Sequence, residues 1–285
     1  VRRRAVRAGS RVRILEGLAM IFEVRDLAYR YAEATALDGV TLSIPSGQRL
    51  AILGANGSGK STFLRILNGL FFPSAGSVSF CDTPLTEEIF ADEKFAFDFR
   101  RRVAFVFQNP DVQLFNPTVF DEVAFGPLQL RWEKNEITER VHAAMQAMEI
   151  AHLKDRTPHR LSGGEKKRVA LASVLVLDPE VLILDEPTAA LDPESQSHII
   201  DFLVGASGVK TIITATHNLE IVGDIADRCV IFESGRIAAQ GTPAEILSDE
   251  DLLRRTRLLF AHRHKHHGGL VHSHAHLHRH HKHNG

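Results

Sequence analysis

Two stretches of the chain carry residue types whose spacing could do chemistry on a phosphorylated ligand. Residues 54–62 read GANGSGKST and match the pattern G-x-x-x-x-G-K-[ST] at every fixed position. Gly54, Gly57 and Gly59, with Asn56 and Ser58 between them, let a backbone wrap closely around phosphates. Lys60 could then reach the β- and γ-phosphates, Ser61 could ligate Mg²⁺ through its hydroxyl, and Thr62 could add a phosphate contact. Residues 161–193 read LSGGEKKRVALASVLVLDPEVLILDEPTAALDP. Ser162, Gly163 and Gly164 open a helix there, a second anion site of bare N–H groups, with Lys166, Lys167 and Arg168 adding positive potential. Further on, Asp185 and Glu186 end an apolar run: one carboxylate to hold Mg²⁺, the other to orient or deprotonate a water attacking a γ-phosphate in line.

These groups need elements that aim them at one place. Residues 181–184 form a short apolar run, the mark of a strand buried on both faces of a parallel sheet, so the carboxylates lie at its carboxyl end. Strands are expected near residues 21–25, 40–44, 49–53, 77–80, 103–107 and 211–215. A helix over 60–70 follows directly on the strand 49–53, which is the context the glycine-rich loop requires. Helices are expected over 118–130 and 137–150, where Ile137, Val141, Met145 and Met148 share one face and read as core. Residues 228–233 and 236–240 read as a hairpin turning at Ser234-Gly235, followed by a closing helix over 243–253. The segment 81–102 reads as irregular and suggests no role.

Composition suits a folded enzyme with a sizeable core, at 44% apolar and 24% charged residues. The formal net charge of −1 hides an uneven distribution. Six arginines and no acid lie in residues 1–13, and seven cations and no acid follow Asp251; the 34 cations less those thirteen leave 21 against 35 acids. An acidic body between basic ends argues against a broad nucleic-acid-binding face. The two cysteines, Cys81 and Cys229, suggest neither a disulfide framework nor a thiolate metal site. No apolar run approaches the ~20 residues needed to span a bilayer, so a membrane role would need another protein.

LSGGE, the paired DE and GANGSGKST look like the ATP-binding cassette ATPases of membrane transporters, over about residues 21–253. The text NPDVQLF, followed by DEVAFGP, resembles the energy-coupling-factor branch of that family, the ATPases of cobalt, nickel and vitamin uptake. The resemblance implies an α/β fold: a P-loop NTPase core with an N-terminal antiparallel β subdomain and an inserted helical subdomain at about 109–177. It implies Tyr31 against adenine, a half-buried strand tyrosine being the alternative reading and Tyr29 the competitor. Gln108 is implied at Mg²⁺ and the attacking water, His217 at the γ-phosphate, and Asp192, in Ala190-Leu191-Asp192, in the loop between sites. Asn218 departs from the aspartate of many relatives, which puts one local hydrogen bond in doubt. ATP and Mg²⁺ are the implied cofactors. The implied partners are a second cassette packed head to tail, identical or paralogous, a transmembrane coupling protein and a substrate-binding membrane subunit, with no nucleic acid. The implied place is peripheral, on the cytosolic face of the cell membrane.

Both ends lie outside that resemblance. Residues 1–20 are expected to be a disordered or artefactual basic extension, a surface-binding tail being the alternative. Residues 254–285 are expected to be disordered and hold eleven of the sixteen histidines: His262, His264, His266, His267, His272, His274, His276, His278, His280, His281 and His283. Imidazoles at this density could bind Ni²⁺, Co²⁺ or Zn²⁺, and the interleaved residues are unlike an affinity tag. The expected function is therefore the ATPase of a cobalt or nickel importer. A vitamin importer is the near rival, and a non-transport cassette acting on nucleic acid or ribosomes the distant one.

Overall fold

A computed structural model describes residues 19–206, 210–259, 261–265 and 271–275, the last two spans by backbone alone. Six strands form the central sheet: β3 (Arg49–Leu53), β6 (Val103–Val106), β7 (Val181–Asp185), β8 (Thr211–Thr216), β9 (Arg228–Glu233) and β10 (Arg236–Gly241). Their order is β10-β9-β3-β8-β7-β6, parallel throughout except for the β9–β10 hairpin. The buried runs show why the sequence reads without polar alternation. Ala51, Leu53, Leu182, Leu184 and Ile212 face one core, while Leu50, Ile52, Val181, Ile183 and Ile213 face another. A strand covered on both faces has no polar side to show.

The second core lies beneath an antiparallel sheet of order β2-β1-β4-β5, built from β1 (Met20–Tyr31), β2 (Ala34–Pro45), β4 (Ala75–Phe80) and β5 (Thr83–Pro84). Helix α1 (Lys60–Leu67) joins this core through Phe63, Leu64, Ile66 and Leu67. The first core is closed by α4 (Val119–Gln129), α5 (Lys134–Ala147), α6 (Gly163–Leu175), α7 (Pro193–Gly205) and α8 (Val222–Ile225). Ile137, Val141, Met145 and Met148 are all buried in it, as their spacing predicts.

Three expectations are corrected. Residues 81–102 hold α2 (Glu87–Phe90) and α3 (Glu93–Arg102), capped by the side chains of Thr86 and Asp92. Phe90, Phe95 and Phe99 pack edge-on or stacked with one another, and Phe99 meets Phe80 at 5.2 Å. That aromatic knob, split between two short helices, has no single helical period. The closing helix is likewise two, α9 (Pro243–Ser248) and α10 (Glu250–Arg255), because Asp249 leaves helical geometry to cap the second with its carboxylate. The tail, expected without regular structure, contains β11 (Ala261–Lys265) paired antiparallel with β12 (Val271–Ala275). Histidine alternates there with other residues at the strand period, either side of Gly268-Gly269 in sequence. Register sets His262 opposite His274 and His264 opposite His272, so these four positions share one face of the ribbon. The other seven tail histidines, and residues 1–18 of the expected extension, lie outside the described residues. Among the described residues, no helix is long and apolar enough to cross a membrane.

Candidate functional site

Sheet order brings the chemistry together. β3, β8, β7 and β6 lie side by side in one direction, so their carboxyl ends deliver the glycine-rich loop, His217, Asp185-Glu186 and Gln108 to one edge. A cleft of about 500 Å³ opens there, lined by Asn56 to Thr62, Gln108, Glu186 and, across the mouth, Tyr31. Tyr31 is part-exposed and its hydroxyl lies 3.1 Å from Thr62 Oγ1; Tyr29 instead stacks on Phe71 at 5.3 Å, away from the cleft lining.

The loop is shaped for an anion. Gly54 and Gly59 have φ of 151° and 107°, and a Cβ on Gly59 would sit 2.7 Å from the Ala36 carbonyl. Helices α4, α6, α7 and α9 are capped by side chains of Thr118, Ser162, Asp192 and Thr242, whereas α1 has no side-chain cap and no acid in its first turn. Its N-terminal donors are thus left for an external acceptor. Lys60 Nζ meanwhile donates to the carbonyls of Gly54 (2.7 Å) and Ala55 (3.2 Å) and lies 4.0 Å from Glu186. Burial pushes this lysine below its ordinary pKa, and Glu186 and Asp185 offset part of that.

Glu186 is 5% exposed and has φ of 49°, an unfavourable backbone for a non-glycine residue that recurs at functional turns. Its Oε1 lies 2.9 Å from His217 Nδ1. An imidazole carrying its proton on Nδ1 donates there and fixes both side chains. Asn218 keeps a local bond in spite of departing from aspartate, because its Oδ1 accepts from the Glu220 amide at 3.0 Å.

The donor set fits a hydrated divalent cation. Asp185 Oδ1 is buried with no hydrogen-bond partner; burial raises the Asp185 pKa, and the neighbouring Ser61 hydroxyl pulls it part of the way back. An orphaned carboxylate oxygen next to a hydroxyl, with Gln108 on the adjoining strand end, is the oxygen-rich set that Mg²⁺ takes. The buried, unpartnered Ser58 hydroxyl is likewise free to meet a phosphate oxygen.

Within one chain, Ser162, Gly163, Gly164 and Asp192 are absent from the lining of this cleft. Ser162 and Gly163 are exposed, while Gly164 is buried against α7: a Cβ there would overlap Ser195 Oγ. Two details of the sequence reading change. The donors at this helix start are not all bare, since Ser162 Oγ accepts from the Glu165 amide and Glu165 Oε2 accepts from the Ser162 amide at 2.7 Å. That bond holds the Glu165 carboxyl below its usual range. Nor do Lys166 and Lys167 project at a ligand. Lys166 pairs with Asp111 at 2.7 Å, and Lys167, 2% exposed, points inward. Sequence reasoning missed Glu122 as well; its buried carboxylate accepts from the amides of Phe115 and Asn116 and fixes the loop after Gln108.

The fold and cleft define a P-loop nucleotide-binding protein. Residues 37–189 match the family model described as ABC transporter, and the chain belongs to that family. It is an ATP-binding, ATP-hydrolysing member. It is 56% identical to the nickel import ATP-binding protein NikO of Rhodobacter capsulatus over 84% of this chain and 95% of that one. It is 42% identical to the energy-coupling factor transporter ATP-binding protein EcfA of Methanothermobacter thermautotrophicus, over 84% of this chain and 76% of that one. The structure superposes on cbiO1 of Clostridium perfringens, part of the ABC transporter complex cbiONQ, with TM-score 0.72 and 41% identity, covering 84% and 95% of the two chains. It also matches the cassette MJ0796, solved as a dimer in a post-hydrolysis state with ADP and phosphate, at TM-score 0.70 and 26% identity over 78% and 98%.

Proposed function

We propose that the chain is the ATP-hydrolysing subunit of an energy-coupling-factor-type importer of nickel or cobalt ions, held at the cytosolic face of the membrane by membrane partners. The observation that carries the substrate is the 56% identity with a nickel import protein along 95% of its length. In this reading Tyr31 meets adenine, Asn56 to Thr62 cradle the phosphates, and Ser61, Gln108 and Asp185 hold Mg²⁺. Bound Mg²⁺ would neutralise charge on the β- and γ-phosphate oxygens. Glu186 takes or orients the proton of the attacking water, and His217 holds Glu186 and reaches the γ-phosphate. Ser162, Gly163 and Gly164 close the site of a second cassette, with Asp192 in the loop between the two.

The helical region offers a surface for a membrane partner. Val112, Phe115, Phe125 and Leu128 are exposed near the loop after Gln108, and the rings of Phe115 and Phe125 meet edge-on at 4.9 Å. Apolar exposure on this scale favours a protein contact. In the native host, Lys60→Ala is expected to reduce uptake of radioactive Ni²⁺ or Co²⁺ to the level of a strain lacking the protein. Normal metal uptake with lost vitamin-dependent growth would instead favour the vitamin importer.

The tail fits metal handling. Four of its histidines share one face of the β11–β12 ribbon, and imidazole ligands follow the Irving–Williams order, so Ni²⁺ should bind above Co²⁺. Ligation needs neutral imidazole, whose ordinary pKa is about 6.5, so binding should collapse below pH ~6. Removing residues 261–285 is expected to eliminate multi-site Ni²⁺ binding while leaving basal ATPase nearly unchanged. Calorimetry showing several Ni²⁺ on the truncated protein, or none on the intact protein at a mildly alkaline pH, overturns the metal role of the tail.

A further inference from the structure

Among the described residues, Lys167 is the one fully buried lysine that the catalytic scheme leaves unused. It sits four residues, one helical turn, after Gly163, the first residue of α6. Its Nζ donates to the main-chain carbonyls of Phe107 (2.9 Å) and Gln108 (2.7 Å), just past the end of β6. β6 pairs with β7 in the register Val106 to Leu184, so these carbonyls lie beside Asp185 and Glu186. An ammonium so placed is costly to bury unless it is hydrogen-bonded and opposite charge is near; here two of its three N–H donors have carbonyl acceptors, and the charges of Asp185 and Glu186 act on it against the effect of burial. Two further ties run in parallel: Lys166 to Asp111 at 2.7 Å, and Gln113 Nε2 to the Ala170 carbonyl at 3.1 Å. The loop after β6 and helix α6 are therefore clamped together at three levels.

We propose that Lys167 is a positioning residue that fixes the Gln108 main chain to the helix bearing Ser162, Gly163 and Gly164. The strand end that meets one nucleotide and the helix start offered to the next cassette then move as one body. The side chain of Gln108 is aimed correctly only while that helix is in register. This rests on reading Gln108 as the residue at Mg²⁺ and the attacking water, and the experiment separates the two ideas.

Lys167→Met keeps the apolar stem and removes the donors and the charge. Its kcat is expected to fall roughly ten- to hundredfold, the scale of a small misplacement of a reacting group, with ATP dissociation constant and KM within about threefold of wild type. Lys167→Arg retains charge and donors and should recover most of the loss. Because Lys167 acts through Gln108, the double variant Gln108→Ala/Lys167→Met should turn over no more slowly than Gln108→Ala alone. Losses that multiply in the double variant overturn the proposal, as does a folded Lys167→Met protein with kcat within about threefold of wild type. Should the Met variant fail to fold, the Arg variant decides: a kcat loss of about a hundredfold or more with normal ATP affinity and melting temperature overturns it. A wild-type rate in Gln108→Ala alone removes the reading beneath the proposal, and the proposal with it.

Discussion

Glu186→Gln is expected to abolish turnover while leaving ATP bound, and Lys60→Ala to weaken binding itself. Glu186 is 5% exposed, held at a left-handed φ and fastened to His217 at 2.9 Å, so its carboxylate is placed before any ligand arrives. Glutamine keeps the shape and loses the basic oxygen. Loss of a general base or of water orientation costs ~10² to 10⁴ in rate, which is about 3 to 5 kcal/mol of barrier. Lys60 differs because its ammonium caps the loop's own carbonyls, at 2.7 Å to Gly54, and can exchange them for phosphate oxygens. Its removal takes away binding charge as well as transition-state charge. Steady hydrolysis by the Gln variant within threefold of wild type would sink the assignment of Glu186, and unchanged nucleotide affinity in Lys60→Ala that of the loop.

What could be read from the residues alone divides along physical lines. The glycine-rich loop is legible because phosphate wrapping demands backbone freedom and a following helix, which fix spacing and context together. β3 and β7 are legible because strands covered on both faces leave continuous apolar runs, and β8 because its threonines and isoleucines are β-branched strand formers. The aromatic knob of α2 and α3 is not, since its rings come from two four- to ten-residue helices and make one cluster only in space. The helix break at Asp249 hides because one aspartate serves as the end of α9 and the cap of α10.

The inward face of Lys167 is legible in the sequence, against the expectation of a shared cationic face. In a helix, successive residues point about 100° apart, so Lys166, Lys167 and Arg168 cannot share one cationic face. Gly164, Lys167 and Leu171, at helical spacing, are all buried, and that stripe marks Lys167 as inward-facing. In the tail, composition points to disorder, while the alternation of histidine with a period of two carries the strand signal.

ATP should drive two chains together, and Ser162→Arg should block hydrolysis without emptying the glycine-rich loop. The reason is geometric: one chain lines its cleft with Asn56 to Thr62, Gln108 and Glu186, while its own Ser162 and Gly163 face solvent away from that cleft. A helix start exposed away from its own chain's cleft is placed to serve a neighbour's nucleotide in the proposed dimer, and the likeness to a cassette solved as a dimer with ADP and phosphate supports that arrangement. Arginine at position 162 removes the cap that accepts from the Glu165 amide, sets a cation against the positive end of the helix dipole and fills the space of the incoming phosphate. Lys60→Ala spoils the opposite half of the composite site. When the two variants are mixed, a heterodimer holds one site built wholly from intact halves, the loop of the Ser162→Arg chain closed by the helix start of the Lys60→Ala chain. If one such site suffices, an equal mixture should regain about a quarter of the wild-type rate, because about half of the dimers are mixed. Sedimentation is the sharper check, since it needs no turnover. Glu186→Gln protein that stays monomeric in saturating Mg-ATP counts directly against the shared site, whatever the mixing experiment returns.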